Sequence, residues 1–189
     1  MGFFLGFSLN NDSINSVEEI RKEVGKVFDG FEIPVRWSKK ENYHMTLLYL
    51  GNTFPFYKKL LLQYRLKNLK FKKFKVKFNT VKLGISRKYK ELIYLDLSEG
   101  GEEMRNLLLH VMGLLKVKDS DNFIPHLTLG RVSKDLTDQE YSNICRDLAT
   151  VTKKLDIQSV EFYIDEIKLI RSENGENYVL MNFKDCSSM

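Results

Sequence analysis

Apolar and polar residues follow two different periods along the chain, and the two periods alternate in a regular order. Runs with a period of two predict strands, and runs with a period near 3.6 predict helices. In the first half the order is strand, helix, strand, helix and strand. The predicted segments are a strand at 3–8, a helix opened by a capping box of Ser16 and Glu19, a strand at 43–51, a helix opened at 53–55 and a strand at 74–78.

The second half repeats this order and adds a hairpin. It predicts a strand at 92–97, a helix after Gly100 and Gly101, a strand at 124–132, a helix capped by Thr137 and Glu140, and a strand at 160–164. The hairpin joins 167–170 to 178–183 through an Asn-Gly turn at 174–175. The repeated order predicts a diverged duplication, in which residues 1–189 form one domain of two lobes at about 1–85 and 90–185.

Such a duplication favours an α+β fold with two similar lobes related by a pseudo-two-fold axis. Equivalent strands would then face each other across a central cleft, with antiparallel-rich sheets lining the cleft and helices outside.

Composition limits the classes of function. No apolar run reaches the roughly 20 residues of a membrane span, and the N-terminal residues lack the basic region of a signal peptide. We therefore expect a cytoplasmic protein without a membrane partner. The net charge of +5 favours an anionic ligand such as phosphate. Cys145 and Cys186 lack metal-ligand spacing, and we expect neither a disulfide nor a zinc site.

The candidate chemistry lies in two strands that share a His-x-Thr motif. One reads His44-Met45-Thr46-Leu47, and the other, 126 − 44 = 82 residues later, reads His126-Leu127-Thr128-Leu129. Strand side chains alternate between faces, so each strand presents an imidazole and a hydroxyl on one face. Two of the chain's three histidines carry the motif, at equivalent places in the two halves. This repetition favours a functional pair over two buried structural histidines.

Two such units provide the groups that phosphodiester hydrolysis needs. An imidazole can accept a proton from water or donate one to a leaving oxygen near neutral pH. Threonine hydroxyls can donate hydrogen bonds to phosphoryl oxygens in the transition state. No carboxylate cluster accompanies the motifs, so we expect no metal and no other cofactor.

These residues resemble the 2H phosphoesterases, and among them the 2′-5′ RNA ligase-like cyclic phosphodiesterases. The resemblance covers nearly the whole chain. Its features are the apolar first strand, Arg36-Trp37 before the first motif, Leu50-Gly51 after it, Pro125 and Arg131 around the second, and Tyr178 in the late hairpin.

The resemblance implies a metal-independent enzyme that hydrolyses 2′-linked phosphodiesters. Its substrates would be 2′,3′-cyclic phosphate RNA ends or nucleotides, 2′-5′ oligoadenylate, or cyclic dinucleotides such as 2′,3′-cGAMP. It also implies His126 as the base and His44 as the acid. Two alternatives stay open: a non-catalytic module that binds RNA or nucleotides, and a 2′-5′ RNA ligase that runs the reverse reaction. No obligate protein partner is expected.

Four further features are candidates for the substrate. Arg131 would suit a phosphate, but strict alternation puts it on the face opposite His126, so it reaches the site only if Gly130 marks a bulge or the strand end. Trp37 and Phe123 precede the two motif strands and are candidates for base stacking, although aromatics at such positions more often belong to a core. The lysines at 67–77 could attract RNA, but from 73 onward they alternate with apolar residues as a solvated strand face does.

Overall fold

A computed structural model describes residues 1–67, 69–85, 90–117 and 123–184. In these ranges nine strands and four helices are arranged in the predicted α+β class. The strands are β1 (Gly2–Ser8), β2 (Val35–Trp37), β3 (His44–Gly51), β4 (Phe74–Leu83), β5 (Leu92–Glu99), β6 (His126–Val132), β7 (Glu161–Ile164), β8 (Glu166–Glu173) and β9 (Glu176–Lys184). The helices are α1 (Asn11–Gly30), α2 (Phe56–Leu66), α3 (Gly101–Leu115) and α4 (Asp138–Thr152).

These strands all join one antiparallel sheet. Its order is β7-β4-β5-β6-β3-β1-β8-β9, and β2 pairs with β6 beside this path. The order is symmetric about the contact between β3 and β6, the two strands that carry the His-x-Thr motifs. The predicted pseudo-two-fold fold with an antiparallel sheet is thus confirmed.

The two sequence halves exchange elements across this sheet. Strand β4 from the first half lies between β5 and β7, and the β8-β9 hairpin extends β1. The helices also pack across the two halves: α1 packs on α4, and α2 packs on α3. Strand pairing does not test whether the chain arose by duplication, so the division at about 1–85 and 90–185 stays a prediction.

One helix begins earlier than the sequence predicted. The capping residue of α1 is Asn10, whose side chain accepts a hydrogen bond from the Ser13 backbone N–H at 2.8 Å. The prediction of a start at Ser16 is therefore wrong by about one and a half turns. The Thr137 and Glu140 capping box of α4 is present as predicted.

The hydrophobic core lies between the helices and one face of the sheet. On β3 the buried side chains are Met45 and Leu47, while His44 and Thr46 alternate with them and point to the other face. Strand β6 buries Leu127 and Leu129 in the same way. The helical layer thus leaves the His-x-Thr face of the sheet uncovered.

No helix among the described residues is long and apolar enough to cross a membrane. Cys145 is a half-buried free thiol, and Cys186 lies outside the described residues.

Candidate active site

The two His-x-Thr strands are direct neighbours at the centre of the sheet. Met45 of β3 pairs antiparallel with Leu127 of β6. In an antiparallel pair the residues on either side then face each other, so this register places His44 opposite Thr128 and Thr46 opposite His126. The motifs form a compact square of two imidazoles and two hydroxyls, each imidazole beside the threonine of the other half.

This square forms the floor of a cleft of about 590 Å³. Both histidines and both threonines line it. The walls come from β2 and the segment between β2 and β3, from β6 and from the β8-β9 hairpin, and they contain Arg36, Trp37, Ser38, Lys39, Asn42, Gly130, Arg131, Ser172, Gly175 and Asn177.

The His44 ring is fixed on two sides. Its Nδ1 lies 2.7 Å from the backbone oxygen of Asn42, and its ring stacks on Phe4 with the ring centres 4.6 Å apart. A carbonyl oxygen only accepts hydrogen bonds, so Nδ1 carries the hydrogen. In the neutral ring Nε2 is then unprotonated and free to accept a proton.

The His126 ring repeats this arrangement. Its Nδ1 lies 2.8 Å from the backbone oxygen of Ile124, and Tyr94 contacts it edge-on at 5.5 Å between ring centres. In both cases the acceptor is the carbonyl two residues before the histidine. Both rings therefore adopt the same tautomer, which leaves Nε2 of the neutral ring unprotonated.

The surroundings favour the neutral form of both rings. Burial lowers the pKa of His44 below its usual 6.5, the hydrogen bond to Asn42 opposes this, and the charge of His126 adds to the lowering. Burial also lowers the pKa of His126; its hydrogen bond to Ile124 raises it, Arg131 lowers it and Asp96 raises it. The charge on His126 thus influences the pKa of His44, and the charges of Arg131 and Asp96 influence the pKa of His126.

An asparagine pair that the sequence analysis missed holds the His44 side of the cleft. The Asn42 side chain donates to the Gly175 carbonyl at 2.6 Å and accepts from the Asn177 backbone N–H at 2.9 Å. The Asn177 side chain donates to the Asn42 carbonyl at 3.2 Å, next to His44 Nδ1 at 3.1 Å. These bonds connect the β8-β9 turn to Asn42, whose backbone carbonyl orients the His44 ring.

Arg131 reaches the cleft because β6 contains a bulge. The pairing of β5 with β6 shifts between Ile93 and Tyr94, and β6 buries Leu129 and Gly130 in succession. This shift returns Arg131 to the face of Thr128, so of the two conditions, a bulge at Gly130 or a strand end, the bulge is the one present. Its guanidinium donates to a Glu91 carboxylate oxygen at 2.8 Å.

The two aromatic candidates lie in different surroundings. Trp37 lines the cleft, packs edge-on against Phe28 at 5.9 Å between ring centres, and carries the Arg21 guanidinium over its ring. Phe123 is half-buried and packs against the core. Trp37 thus contributes to the cleft lining while its ring packs on α1, and Phe123 does not line the cleft.

Metal-ligating side chains do not cluster in the described ranges 1–67, 69–85, 90–117 and 123–184. No group of three or more His, Cys, Asp or Glu side chains lies close enough there to hold an ion. The imidazoles and hydroxyls that line the cleft can transfer protons and donate hydrogen bonds.

Known proteins share both sequence and fold with this chain. Residues 12–176 match the model of the 2′-5′ RNA ligase superfamily. A protein of Aquifex aeolicus (strain VF5), named RNA 2′,3′-cyclic phosphodiesterase, is 29% identical over 177 residues, which cover 88% of this chain and 84% of the relative.

Solved structures with low sequence identity show the same fold. Escherichia coli LigT in its apo form superimposes with a TM-score of 0.69 at 15% identity, covering 97% of this chain and 96% of that chain. The protein TT0787 of Thermus thermophilus superimposes with a TM-score of 0.63 at 19% identity, covering 97% of each chain.

Proposed function

The chain belongs to the 2′-5′ RNA ligase superfamily of 2H phosphoesterases, and from this membership we propose that it is a phosphodiesterase. The proposed reaction is the metal-independent hydrolysis of 2′-linked phosphodiester bonds, with His44 and His126 as the acid–base pair. The naming of the Aquifex aeolicus relative supports a 2′,3′-cyclic phosphate at an RNA end as the substrate. Linkages of the 2′-5′ type in oligoadenylate or cyclic dinucleotides are the second substrate class.

The matched geometry of the two histidines is the observation that carries the proposal. Each Nδ1 donates to the carbonyl two residues earlier, at 2.7 Å for His44 and 2.8 Å for His126. Two unrelated structural histidines have no reason to share a tautomer, a neighbouring threonine and a cleft. A pair that exchanges protons with one substrate needs all three.

The reaction then follows from the cleft. A neutral imidazole takes a proton from water through Nε2, and the water oxygen attacks phosphorus. The bond from phosphorus to the ribose oxygen breaks, and that oxygen takes a proton from the second, charged imidazole. We assign His126 as the base and His44 as the acid. The cycle closes when the proton moves back between the two rings, so no redox partner or other co-reactant is needed.

The remaining cleft residues would hold the phosphoryl group and the base. Thr46 and Thr128 would donate to the non-bridging oxygens as charge accumulates on them. Arg131 would add a positive charge that the hydrogen bond to Glu91 holds in place. Trp37 stays the candidate for stacking on a nucleobase, although in this structure its ring packs on Phe28 and Arg21 of α1 beside the cleft.

Turnover in the presence of a chelator tests the proposal. We expect the protein to hydrolyse a 2′,3′-cyclic nucleotide in EDTA, because proton transfer and hydroxyl donors supply the catalysis. His44→Ala and His126→Ala should each lower kcat about 10³-fold or more, and Thr46→Ala or Thr128→Ala about 10²-fold.

Two results would contradict this account. Activity lost in EDTA and restored by a divalent ion would show that a metal takes part. Histidine variants that keep full turnover would leave a module that only binds nucleotides. His110→Ala is the matched control, since His110 lies in α3 away from the cleft and its loss should leave kcat unchanged.

A further inference from the structure

Two arginines face each other directly across a strand pair at one end of the cleft. Arg36 of β2 pairs with Arg131 of β6 in antiparallel register. Opposed residues on paired strands point to the same face, and like charges in this position destabilise a sheet. Glu91 compensates the charge of Arg131, and an anion bound beside both guanidinium groups would relieve the repulsion that remains.

Both arginines lie where two cavities meet. They line the cleft of the two histidines and also a neighbouring cavity of about 500 Å³, which Glu91, Val132 and Ser133 complete. The two arginines can therefore contact a ligand from either cavity. Strands β2 and β6 approach each other closely at this junction. A Cβ added at Gly130 would lie only 2.9 Å from the Trp37 ring.

The two guanidinium groups differ in their partners. Arg131 is held by Glu91, with 2.8 Å between nitrogen and oxygen. Arg36 is exposed and has no ion-pair partner among the residues that the structure describes. The junction thus carries one uncompensated positive charge, on a side chain with several donors suited to phosphate oxygens.

We propose that Arg36, supported by Arg131, forms a second phosphate subsite that binds the phosphate flanking the scissile group. The inference rests on the proposed function and narrows it to substrates that carry such a phosphate. These are RNA ends or nucleotides with a 5′-phosphate, as opposed to a bare cyclic mononucleoside.

The spacing along β6 fits this assignment. Thr128 and Arg131 are three residues apart, which corresponds to about 10 Å along a strand and less across a bulge. One nucleotide together with an arginine side chain spans this distance. A phosphate at the threonines and its 5′ neighbour at Arg36 therefore belong to the same nucleotide.

Ligand binding isolates the flanking phosphate. The probes are adenosine 2′-phosphate and adenosine 2′,5′-bisphosphate, which differ only in the 5′-phosphate, and titration calorimetry gives Kd for each. We expect the bisphosphate to bind about tenfold more tightly to the wild-type protein, with an advantage that falls as salt rises. Arg36→Gln should remove most of this advantage. Arg146→Gln, an exposed arginine on α4 outside both cavities, should retain it.

The two Kd values decide whether the second phosphate subsite exists. An equal Kd for the two probes in the wild-type protein, or an undiminished advantage in Arg36→Gln, would overturn the subsite. A matching kinetic test compares kcat/KM for adenosine 2′,3′-cyclic phosphate with and without a 5′-phosphate, and Arg36→Gln should lower the ratio about tenfold. Should neither compound be hydrolysed, the proposed function fails while the binding data still decide whether the subsite exists.

Discussion

Burial lowers the pKa of both His44 and His126, and this determines how the proposed activity should depend on pH. Burial is the largest cause of the lowered pKa in both rings. A lowered pKa means that each ring loses its proton below pH 6.5 in the free protein. The base is then ready at neutral pH, but the acid is increasingly deprotonated as pH rises.

We therefore predict a bell-shaped pH profile of kcat/KM with its maximum below pH 6.5. Its acid limb reports protonation of the base, and its alkaline limb reports loss of the proton on the acid. In kcat the alkaline limb should move to higher pH, because a bound phosphate raises the pKa of the nearby imidazole. A kcat/KM that climbs steadily to pH 9 would rule out a protonated histidine as the acid.

The sequence alone identified the candidate reactive side chains but not the residues that hold them in place. Two His-x-Thr motifs in matching strands sufficed to identify His44, Thr46, His126 and Thr128 as candidates. Asn177 lies 133 residues after His44 and reaches it only because the β8-β9 turn folds back on Asn42. No local pattern encodes such a contact. Phe123 was a candidate because it precedes a motif strand in the sequence, yet it does not line the cleft.

We predict that the Asn42 side chain positions His44 without touching substrate. Asn42→Ala removes the bonds to Gly175 and to the Asn177 N–H while leaving the carbonyl that accepts from His44. The turn should loosen, and kcat should fall about tenfold with little change in KM, in the lower part of the range seen for residues that orient a functional histidine. Glu176→Gln, in the same turn, is the control. A rise in KM with unchanged kcat would indicate that Asn42 binds substrate instead.

At the element scale the site depends on a close approach of β1 to β3. A Cβ at Gly6 would lie 2.4 Å from the Met45 carbonyl oxygen, which belongs to the backbone of the motif strand. A movement of β1 away from β3 would break the pairing of Gly6 with Thr46. Glycine at this position is thus a requirement of the sheet that carries His44.

We predict that Gly6→Ala lowers the free energy of unfolding by about 1–3 kcal/mol, the usual cost of overpacking. The matched control is Gly113→Ala, on an open face of α3 where nothing lies within 4 Å of the added Cβ. Alanine there should stabilise the helix by about 0.5–1 kcal/mol. Urea unfolding of both variants measures the difference. Equal effects of the two changes would show that β1 and β3 can separate without cost.

Elements with strong periodicity were predictable, and short or locally ambiguous ones were not. Strand β2 has three residues, too few for alternation to register, although it forms the cleft wall that holds Arg36 and Trp37. Helix α1 begins at Asn11 because the Asn10 side chain caps it by accepting from the Ser13 backbone N–H, ahead of the predicted cap at Ser16. In β4 the predicted solvated lysine face is present: Lys75 pairs with Glu99 at 3.4 Å and with Glu161 at 3.6 Å.

At the scale of the whole molecule, the sheet order explains why one site needs both halves of the chain. Each half contributes one His-x-Thr strand, and the exchange of β4 and of the β8-β9 hairpin encloses these two strands within a single sheet. The sequence predicted equivalent strands on opposite sides of a cleft. It could not predict that they are direct neighbours, because strand order depends on pairings between residues far apart in the chain.

A double-mutant cycle on the two histidines tests whether His44 and His126 act together as one acid–base pair. The measurement is kcat for a 2′,3′-cyclic nucleotide in EDTA, for the wild type, His44→Ala, His126→Ala and the double variant. If both rings serve one proton relay, the first change already removes the relay, and the double variant should be within about threefold of the single ones. Losses that multiply, from about 10³ in each single variant to about 10⁶ in the double, would mean that the two imidazoles act independently.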